Sequence, residues 1–409
     1  MKRSVFIYTI LVFSLCGLSV VFAGSGGRRT AIDFMAVMYS EATPVFWEAV
    51  IGAFEEEHPD IRVDLDMVPK NEIYLQTTKR IADRREPDIL NTDGILVQYA
   101  AEGLLEPLEG YMDAGFRDRF LPSLLASGMY GGSLQALPFL ASVNVLVYNE
   151  DILEEAGVKP PANAEDFVQV AMAVTDPPDL YGFGMPVTIL DGYESITPLL
   201  WAAGGSWIDG NGKCVLNSTG GIEALTFASD LVRKRGVVYP RWDTETGEQT
   251  REAMIEGRVA MLIADHFFMK KAEAGNPGLR LGSVPIPAGR KRYSPASVYS
   301  LMVFKSSAHK QEAFEFISFC YRDEWYARAC LNEHYLPVTG SVSNLLREDP
   351  ELGTFIKMLP GARFYPLHSM WTPMVIEAVG AWRSVISGQK EPKPALDEAV
   401  RRINTELIR

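Results

Sequence analysis

The chain has 409 residues, of which 47% are hydrophobic and 22% charged, and its formal net charge is -13 at pH 7. This acidic excess excludes nucleic acid as a partner, because a surface that binds phosphates needs clustered Lys and Arg. The length exceeds what one hydrophobic core usually holds and favours two lobes of about 190 residues each. Four cysteines in so long a chain exclude a disulfide-dense scaffold.

The N terminus is typical of a secretory signal peptide. A basic start and an apolar run are followed by small residues before Gly24. We predict that residues 1–23 are removed by cleavage after Ala23 and that the protein is exported to the periplasm or the cell surface. An uncleaved membrane anchor is the alternative, because the apolar run approaches the length that spans a bilayer. A lipoprotein anchored through Cys16 is less favoured, since Leu15 is too large for the position before a lipidated cysteine.

The first mature residues predict alternating strands and helices. A buried strand covers Ala31 to Tyr39, and another covers Ile61 to Val68. The helix between them, from about Val45 to Glu57, is predicted to bury one stripe of side chains. That stripe comprises Val45, Trp47, Val50, Ile51 and Phe54. A second helix at about residues 72–83 leads to a third strand, and this order implies a parallel sheet with right-handed crossovers.

Polar residues follow two of these strands. Ser40 and Glu41 come after the first strand, and Asp93 comes after the third. Ligands of parallel sheets bind beyond the carboxyl ends of the strands, so these side chains are candidate ligand contacts. The alternative is local, with Ser40 capping the next helix and Asp93 closing a turn.

The stretch from Gly132 to Thr175 indicates a crossing between two lobes. Its first half is rich in β-branched and aromatic residues but contains Pro138, which only edge or bent strands tolerate. The spacing of the apolar residues then changes to that of a short helix, from about Asp151 to Ala156. Gly157 ends this helix. A bent strand that leads directly into a new α/β unit, with no flexible linker, is what a crossing requires.

Two more helices are predicted from their caps, and the C-terminal segment from its spacing. Asn163 can cap one helix, with Asp166 three residues later able to return a contact. Ser218 or Thr219 caps another. Residues 370–408 are predicted to be helical, because apolar side chains recur there at helical spacing.

The amino-acid sequence of the crossing stretch resembles that of a known family. Between Gly132 and Pro161 the order is Gly, Ala-Leu-Pro, a variable strand, Tyr-Asn, an acidic helix, Ala-Gly and Pro-Pro. This order is similar to that of extracellular solute-binding proteins of the maltose-binding type, the ligand-capturing subunits of ABC importers. Residues 103–108 and Gly257 to Ile263 resemble the same family in the same chain order. A Gly and a Trp commonly follow the latter string, whereas Asp265 to Phe268 stand here, so Phe267 replaces the expected Trp as the stacking candidate.

The resemblance implies an α/β fold of two lobes, each a mainly parallel sheet flanked by helices, with the ligand cleft between them. It implies three crossings, near Phe139–Asn144, Pro285–Ser297 and Tyr335–Gly340. The N-terminal lobe is then expected at residues 24–140 and 296–337, and the C-terminal lobe at residues 141–295 and 338–409. The implied ligand is a small-molecule solute, a mono- or oligosaccharide. The implied partners are the membrane permease subunits of an ABC importer, and the protein is expected to be a monomer.

A cleft that captures a sugar needs flat aromatic side chains for the C–H faces and polar groups for the hydroxyls. The loops assigned to the cleft supply both kinds of side chain. The predicted ligand contacts are Tyr39, Ser40, Glu41, Asp93, Ser142, Asn144, Asp191, Tyr193, Glu194, Trp207, Asp265, His266, Phe267, Tyr299 and Trp371. For any single aromatic residue a place in the core is the alternative, and His266 has a second interpretation as a hydrogen-bonding loop histidine. Trp47, Trp201 and Trp382 lie on helical stripes and are assigned to packing.

The alternatives to solute capture are an enzyme and a binding protein for another solute. A secreted glycosidase needs two carboxylates that face each other across a cleft, and the chain has many acids. It contains no G-x-S-x-G, H-E-x-x-H, C-x-x-C or P-loop motif, and its five histidines are scattered. We therefore predict no catalytic residue and no cofactor. No acidic or histidine cluster has the spacing of metal ligands, so no metal site is predicted. A binding protein of the same fold for a polyol, a polyamine or a peptide remains the open alternative.

Three cysteines remain after the predicted cleavage: Cys214, Cys320 and Cys330. On one continuous helix the last two would lie about 15 Å apart, beyond disulfide reach. A break near Asp323 would leave their pairing open.

Overall fold

A computed structural model describes residues 29–94, 96–287, 289, 293–366, 368 and 370–406, so the predicted signal peptide lies outside the described residues. The strands are β1 (Thr30–Met38), β2 (Ile61–Pro69), β3 (Ile89–Thr92), β4 (Met129–Tyr130), β5 (Ser133–Leu134), β6 (Leu137–Val143), β7 (Val145–Asn149), β8 (Met261–Ala264), β9 (Leu281–Val284), β10 (Ser294–Val303), β11 (Leu336–Pro337) and β12 (Ala362–Phe364).

The helices that precede residue 240 are α1 (Thr43–Glu57), α2 (Ile73–Ala82), α3 (Leu96–Ala101), α4 (Ala114–Arg117), α5 (Pro122–Leu125), α6 (Glu150–Glu155), α7 (Ala164–Val174), α8 (Gly192–Ala202) and α9 (Thr219–Arg233). Those that follow are α10 (Gly247–Ile255), α11 (His266–Gly275), α12 (Lys310–Cys320), α13 (Asp323–Glu333), α14 (Gly340–Leu345), α15 (Gly353–Ile356), α16 (Trp371–Ile386) and α17 (Pro392–Glu406). Single 3-10 turns occupy Glu109–Tyr111, Ala126–Gly128 and Leu359–Gly361.

The larger sheet has the order β11-β6-β10-β3-β1-β2, and β12 pairs with β10. Strand β1 is parallel to both β2 and β3, as the strand–helix–strand order predicts. The carboxyl ends of β1 and β3 therefore lie on the same edge of the sheet, and the loops after Met38 and Thr92 are neighbours. Strand β10 is antiparallel to β3 on one side and to β6 on the other.

The first helix confirms the predicted element but corrects one residue of its stripe. Helix α1 begins at Thr43, and it buries Phe46, Trp47, Val50 and Phe54. Val45 is 68% exposed, so its assignment to the buried stripe was wrong. The reason is the phase of the helix, because residues 43, 46, 47, 50 and 54 share one face and residue 45 points away from it.

A smaller sheet of order β8-β7-β9 is fully antiparallel, so the expectation of a mainly parallel sheet in each lobe is wrong for this sheet, because β8 and β9 both run in the opposite direction to β7. The chain enters it directly from the larger sheet, since Asn144 alone separates β6 from β7. The Asn144 amide donates to the carbonyl of Pro295, just inside the start of β10, where the chain has come back to the larger sheet. Two of the predicted crossings therefore lie side by side, joined by a backbone hydrogen bond.

The segment after β11 differs from the expectation of a crossing at Tyr335–Gly340. Strand β11 pairs with β6, and β12 later pairs in parallel with β10. The Ser123 hydroxyl also donates to the carbonyl of Leu359, 3.1 Å away. The chain thus stays against the larger sheet as far as Phe364 before it forms α16. The boundaries of the two lobes remain a prediction.

Two hydrophobic cores flank the smaller sheet. Side chains of strand β7 alternate between the two cores. Val145 and Val147 belong to the first core, and Leu146 belongs to the second. The first core also holds Trp47, and the second holds Trp201 and Trp382. These three indoles were assigned to packing from their helical spacing, and their burial confirms that assignment.

Local capping agrees with the sequence. The Asn163 side chain accepts hydrogen bonds from the amides of Glu165 and Asp166 at the start of α7, and Ser218 caps α9. Gly157 has a φ of +67° just beyond α6, as a helix-ending glycine should.

Two C-terminal expectations change in detail. Residues 370–408 do not form one continuous helix, because Gly388 has a φ of +79° between α16 and α17. Cys320 ends α12 and Cys330 lies in α13, so the helix does break between them, yet both thiols are buried and free.

Candidate functional site: a cleft beside the larger sheet

A cavity of about 360 Å³ opens where β3 and β10 meet the chain that leads into α16. Its wall combines residues of the larger sheet and its loops with Trp371, which packs against the second hydrophobic core. The lining residues are Thr92, Asp93, Gly94, Leu96, Val97, Ser127, Ala296, Ser297, Val298, Ser300, Met302, Phe364, Tyr365, Pro366, His368 and Trp371. The wall mixes hydroxyls, a carboxylate and an imidazole with aromatic rings, so it can orient a polar ligand as well as enclose it.

A second cavity, of about 310 Å³, lies among Phe167, Phe183 and Phe227. Its lining is almost entirely apolar and offers few groups that could orient a polar solute. The first cavity is therefore the better candidate for the functional site.

The loop after β1 carries three predicted contacts, none of which belongs to the lining of this cavity. The Tyr39 hydroxyl donates to the Asn91 side-chain oxygen at 2.5 Å. Ser40 and Glu41 are exposed. The predicted capping alternative for Ser40 is not what the structure shows, because Ala42 occupies the N-cap of α1. The Ser40 hydroxyl instead accepts from the Ala42 amide at 3.1 Å.

Asp93 follows β3 and lines the cavity, as its position beyond a strand end predicts. Among the described residues its carboxylate has no ion-pair partner and no side-chain hydrogen bond. Its charge contributes to raising the pKa values of Tyr39, Tyr299 and Tyr335, although burial is the largest cause for each. Asp93 is thus a free acceptor close to three phenols.

These three tyrosines form an aromatic cluster with Phe267. The ring centroids of Tyr39 and Tyr299 are 4.7 Å apart, and those of Tyr299 and Tyr335 are 5.4 Å apart. Phe267 of α11 meets Tyr335 at 4.6 Å from the other side. The Tyr299 hydroxyl is buried without a well-formed hydrogen bond, and the Tyr335 hydroxyl is its polar neighbour. An unpaired buried hydroxyl is costly, so a ligand that reached it would find an available hydrogen-bonding group.

Lys70 is a residue of this region that sequence reasoning missed. Its ammonium nitrogen lies 5.4 Å from the centre of the Tyr299 ring. This is a cation–π distance, and it places a positive charge beside the cluster of tyrosines. The available signal was its position, because Lys70 directly follows the carboxyl end of β2.

The first turn of α8 carries a partly buried carboxylate, Glu194, which lies outside the cavity lining. Glu194 lies 3.5 Å from Arg251 and accepts a 3.4 Å hydrogen bond from the Tyr193 hydroxyl. Burial raises the pKa of Glu194 and raises that of Tyr193 to about 12. Asp191 instead accepts hydrogen bonds from the Thr188 hydroxyl and the Gly247 amide, so its carboxylate holds the start of α10 in place.

Trp371 and Trp207 are neighbours with different surroundings. Their ring centroids lie 4.8 Å apart, but only Trp371 lines the cavity. Trp207 has 0% exposure, and its indole N–H donates to the Thr197 hydroxyl at 3.0 Å. The predicted stacking of Trp207 on a ligand would require displacement of Trp371, so the structure favours packing for Trp207. Tyr193 and Tyr365 complete this aromatic wall, with centroids 5.1 Å apart.

The residues that stand where the family commonly has Gly and Trp begin α11. Asp265 caps this helix by accepting from the Phe268 amide at 3.1 Å. His266 is 4% exposed, and its Nε2–H donates to the carbonyl of His334. Burial lowers the pKa of His266, so the imidazole is neutral at pH 7. These contacts favour the interpretation of His266 as a hydrogen-bonding histidine.

The two predicted contacts in the first crossing lie beside the cavity rather than in its wall. The Ser142 hydroxyl is 2.9 Å from the Ser297 hydroxyl, and Ser297 lines the cavity. Asn144 is half-buried between the sheets. Ser297, Tyr365 and His368 were missed by sequence reasoning, although Ser297 falls inside a predicted crossing.

Within the described residues, no helix combines the length and the apolar character needed to cross a membrane. In the same part of the chain, no group of three His, Cys, Asp or Glu side chains could hold a metal ion.

Comparison with known proteins assigns the chain to a family. Residues 39–327 match the model of the bacterial extracellular solute-binding protein family. This chain belongs to that family. The solute-binding protein is accordingly an exported protein, and its family and fold are those of transport binding proteins rather than of enzymes.

Among its relatives, a binding protein of Brucella abortus (strain 2308) is 28% identical over 403 residues, which are 96% of this chain and 97% of the relative. The melibiose/raffinose/stachyose-binding protein of Bacillus subtilis (strain 168) is 23% identical over 332 residues, which are 77% of this chain and 75% of the relative.

Solved structures share the fold. The sugar-binding protein MalE of Xanthomonas citri superimposes with a TM-score of 0.81 at 22% identity, over 93% of this chain and 98% of that one. The cyclic α-maltosyl-1,6-maltose binding protein of Arthrobacter globiformis gives 0.81 at 19% identity, over 92% and 98% of the two chains. These likenesses confirm the predicted two-lobed α/β fold.

Proposed function

We propose that this solute-binding protein captures a carbohydrate, a mono- or oligosaccharide, and delivers it to an ABC importer. The observation that carries the proposal is the wall of the cleft, where the free Asp93 carboxylate and the hydroxyls of Ser297 and Ser300 share the lining with the rings of Tyr365 and Trp371. Sugar hydroxyls can donate to the carboxylate and exchange hydrogen bonds with the serine hydroxyls, while C–H faces stack on rings such as Trp371.

The names of relatives support the same class of ligand. Proteins of this family that resemble the chain bind melibiose, raffinose and stachyose in Bacillus subtilis, and maltotriose in Pyrococcus abyssi, by their names. Their identities of 23% and 24% are too low to transfer a particular sugar. The proposal is therefore a class of solute and not one compound.

The partners and the processing follow from the family rather than from the cleft. We expect a monomer that meets the permease subunits of an importer at the membrane. We also expect a signal peptide that is cleaved after Ala23, with lipoprotein anchoring less favoured.

A thermal-shift screen tests the ligand class. The panel contains maltotriose, raffinose, tagatose, mannitol, an arabino-oligosaccharide and spermidine, each at micromolar to millimolar concentration. A solute at a hundred times its Kd stabilises a protein by about 2.7 kcal/mol, which is readily measured. We expect one of the saccharides to raise the Tm.

The control is the double variant Asp93→Asn, Trp371→Ala. Sugars stabilise many proteins weakly because they are excluded from the surface, and that effect persists in the variant. A shift that the variant loses therefore reports the cleft. Stabilisation by spermidine alone would replace the proposal with a cation-binding function, for which the free carboxylate of Asp93 is the matching feature.

A further inference from the structure

A hydrogen-bonded chain lies behind the loop after β1, which carries the predicted ligand contacts Tyr39, Ser40 and Glu41. The amides of Tyr39 and Ser40 donate to the Thr43 hydroxyl oxygen at 3.0 and 2.9 Å. The Thr43 hydroxyl donates in turn to the Glu333 carboxylate at 2.8 Å. Thr43 is 0% exposed and Glu333 is 6% exposed, although 290 positions separate them in sequence.

The Thr43 hydroxyl is saturated by these contacts. A hydroxyl has one proton to donate and two lone pairs to accept with, and here all three are in use. Its proton points at Glu333, so both lone pairs face the amides of the loop. The position of the loop that holds Tyr39, Ser40 and Glu41 is thus set by a carboxylate at the end of α13.

The two residues after Glu333 contact the opposite side of the cleft. The carbonyl of His334 accepts from His266 at the start of α11. The Tyr335 ring meets Tyr39 at 5.5 Å and Phe267 of α11 at 4.6 Å. Three consecutive residues therefore touch both the loop after β1 and the helix that carries Phe267.

We propose that Glu333, acting through the Thr43 hydroxyl, is a positioning residue for ligand capture. It holds the Tyr39–Glu41 loop in place relative to Phe267 of α11. This inference rests on the proposed function for its effect on affinity. Its effect on the loop is independent of any ligand.

Hydrogen exchange in the unliganded protein tests the effect on the loop. Thr43→Val preserves the shape of the side chain but removes the acceptor, so exchange at the amides of Tyr39 and Ser40 should accelerate by about tenfold or more. Thr43→Ser retains the hydroxyl and should exchange as the parent protein does. Thr77→Val is the matched control, because Thr77 is also fully buried and donates to a carbonyl 2.7 Å away within α2.

Substitution of Glu333 provides a second pair of variants. Glu333→Gln still offers an oxygen to the Thr43 hydroxyl and should behave as the parent does. Glu333→Leu removes the acceptor and should accelerate the same two amides as Thr43→Val. Unchanged exchange in both Thr43→Val and Glu333→Leu would overturn the inference, even where both variants lose thermal stability.

Affinity is then measured by calorimetry with maltotriose and raffinose. Thr43→Val and Glu333→Leu should weaken binding about tenfold, which corresponds to 1.4 kcal/mol, whereas Thr43→Ser, Glu333→Gln and Thr77→Val should not. Faster exchange with unchanged affinity would contradict the positioning role. If the parent protein binds no saccharide, the proposed function fails, while the exchange result still decides whether Glu333 holds the loop.

Discussion

At the scale of single residues, the adjoining indoles Trp371 and Trp207 illustrate how burial separates a ligand contact from a core residue. Both were predicted to meet the ligand, and nothing in their sequence surroundings distinguishes them. In the structure one indole lines the cavity and the other is fully enclosed behind it. Substitutions at the two positions should therefore have opposite signatures.

Trp371→Ala should weaken sugar binding by one to a few kcal/mol, because it removes an aromatic face from the cleft. Calorimetric titration with the saccharide found in the screen measures this loss, and Trp371→Phe should recover part of it. Trp207→Ala should instead lower the free energy of unfolding by about 3–5 kcal/mol, as expected for a buried Trp. A stable Trp207→Ala protein with weakened binding would show that the packing interpretation is wrong.

Asp93→Asn should reduce affinity for a neutral sugar by about 1.5–3 kcal/mol, the range for a hydrogen bond to a charged group. The free energy of unfolding should change little, because the Asp93 carboxylate has no ion-pair partner among the described residues. Asp179→Asn, at an exposed carboxylate outside the cavity lining, serves as a control for general loss of negative charge. Equal affinities of Asp93→Asn and the parent protein would remove Asp93 from the site.

The folding stability of the protein should depend on pH through His266, and the environment of this residue determines the sign of the effect. Burial lowers its pKa below the ordinary 6.5, so the unfolded chain binds this proton more readily than the folded protein does. Stability contributed by neutral His266 is complete above about pH 6.5 and is lost as the pH falls from there to the lowered pKa. The loss is at most about 1.4 kcal/mol for each pH unit in that window.

Denaturant unfolding between pH 5 and pH 7.5 measures this effect. His266→Gln keeps an N–H donor for the carbonyl of His334 but does not titrate over this range. Its stability relative to the parent should therefore improve as the pH falls below 6.5. A constant difference across the range would mean that His266 does not contribute to the acid sensitivity.

At the scale of elements, Asn163 at the start of α7 tests a cap that was read directly from the sequence. Asn163→Ala should cost about 1 kcal/mol of folding stability, because two first-turn amides lose their acceptor. Asn163→Asp keeps that acceptor and is the control. Equal thermal unfolding of the alanine variant and the parent would show that the cap contributes no stability.

Elements of this kind were predictable because their signals are local. The sequence signal for each of these elements lies within a few residues of the element itself. This holds for the helix caps, for the glycine after α6, and for the alternating strands and helices from Ala31 onward. The buried stripe of α1 was misjudged at Val45 because successive residues of a helix are about 100° apart, so residue 45 lies on the opposite face from Trp47 and Phe54 wherever the helix begins. The pairing of β12 with β10 joins residues far apart in sequence, and no local pattern indicates it.

The same reasoning explains which site residues were found. Asp93 and Tyr39 follow strand ends, and topology alone puts strand ends at a cleft. Lys70 obeys the same rule but was passed over, because a surface lysine has no distinctive pattern. Tyr365 and His368 lie on a connection whose course depends on β12, so their place in the wall could not be inferred before the pairing was known.

At the scale of the whole molecule, two sheets connected by short crossings predict closure around a ligand. A few backbone torsions near Ser142, Val143 and Asn144 can absorb the movement, and a ligand favours the closed state only through its extra contacts there. We expect the saccharide to reduce the radius of gyration in small-angle scattering. Identical scattering with and without a sugar shown independently to bind would argue for a rigid module.

Asn144→Pro tests the crossing itself. Proline fixes φ and removes the amide that donates to the carbonyl of Pro295 at 2.8 Å. The change in radius of gyration on binding should shrink or disappear. Asn144→Ala retains the amide and is the control, so a normal response of the proline variant would exclude this position as the hinge.

The place of β10 in the larger sheet has a consequence for the order in which the molecule can assemble. This strand lies between β3 and β6, yet it begins at residue 294, after the whole of the smaller sheet has been synthesised. Until it arrives, β3 presents an unpaired edge, and β6 has no partner on the side where β10 will bind. The N-terminal half of the chain therefore cannot complete its own sheet early. Completion of the larger sheet therefore requires residues from the last third of the polypeptide, and such long-range strand pairing is the kind of contact that slows folding.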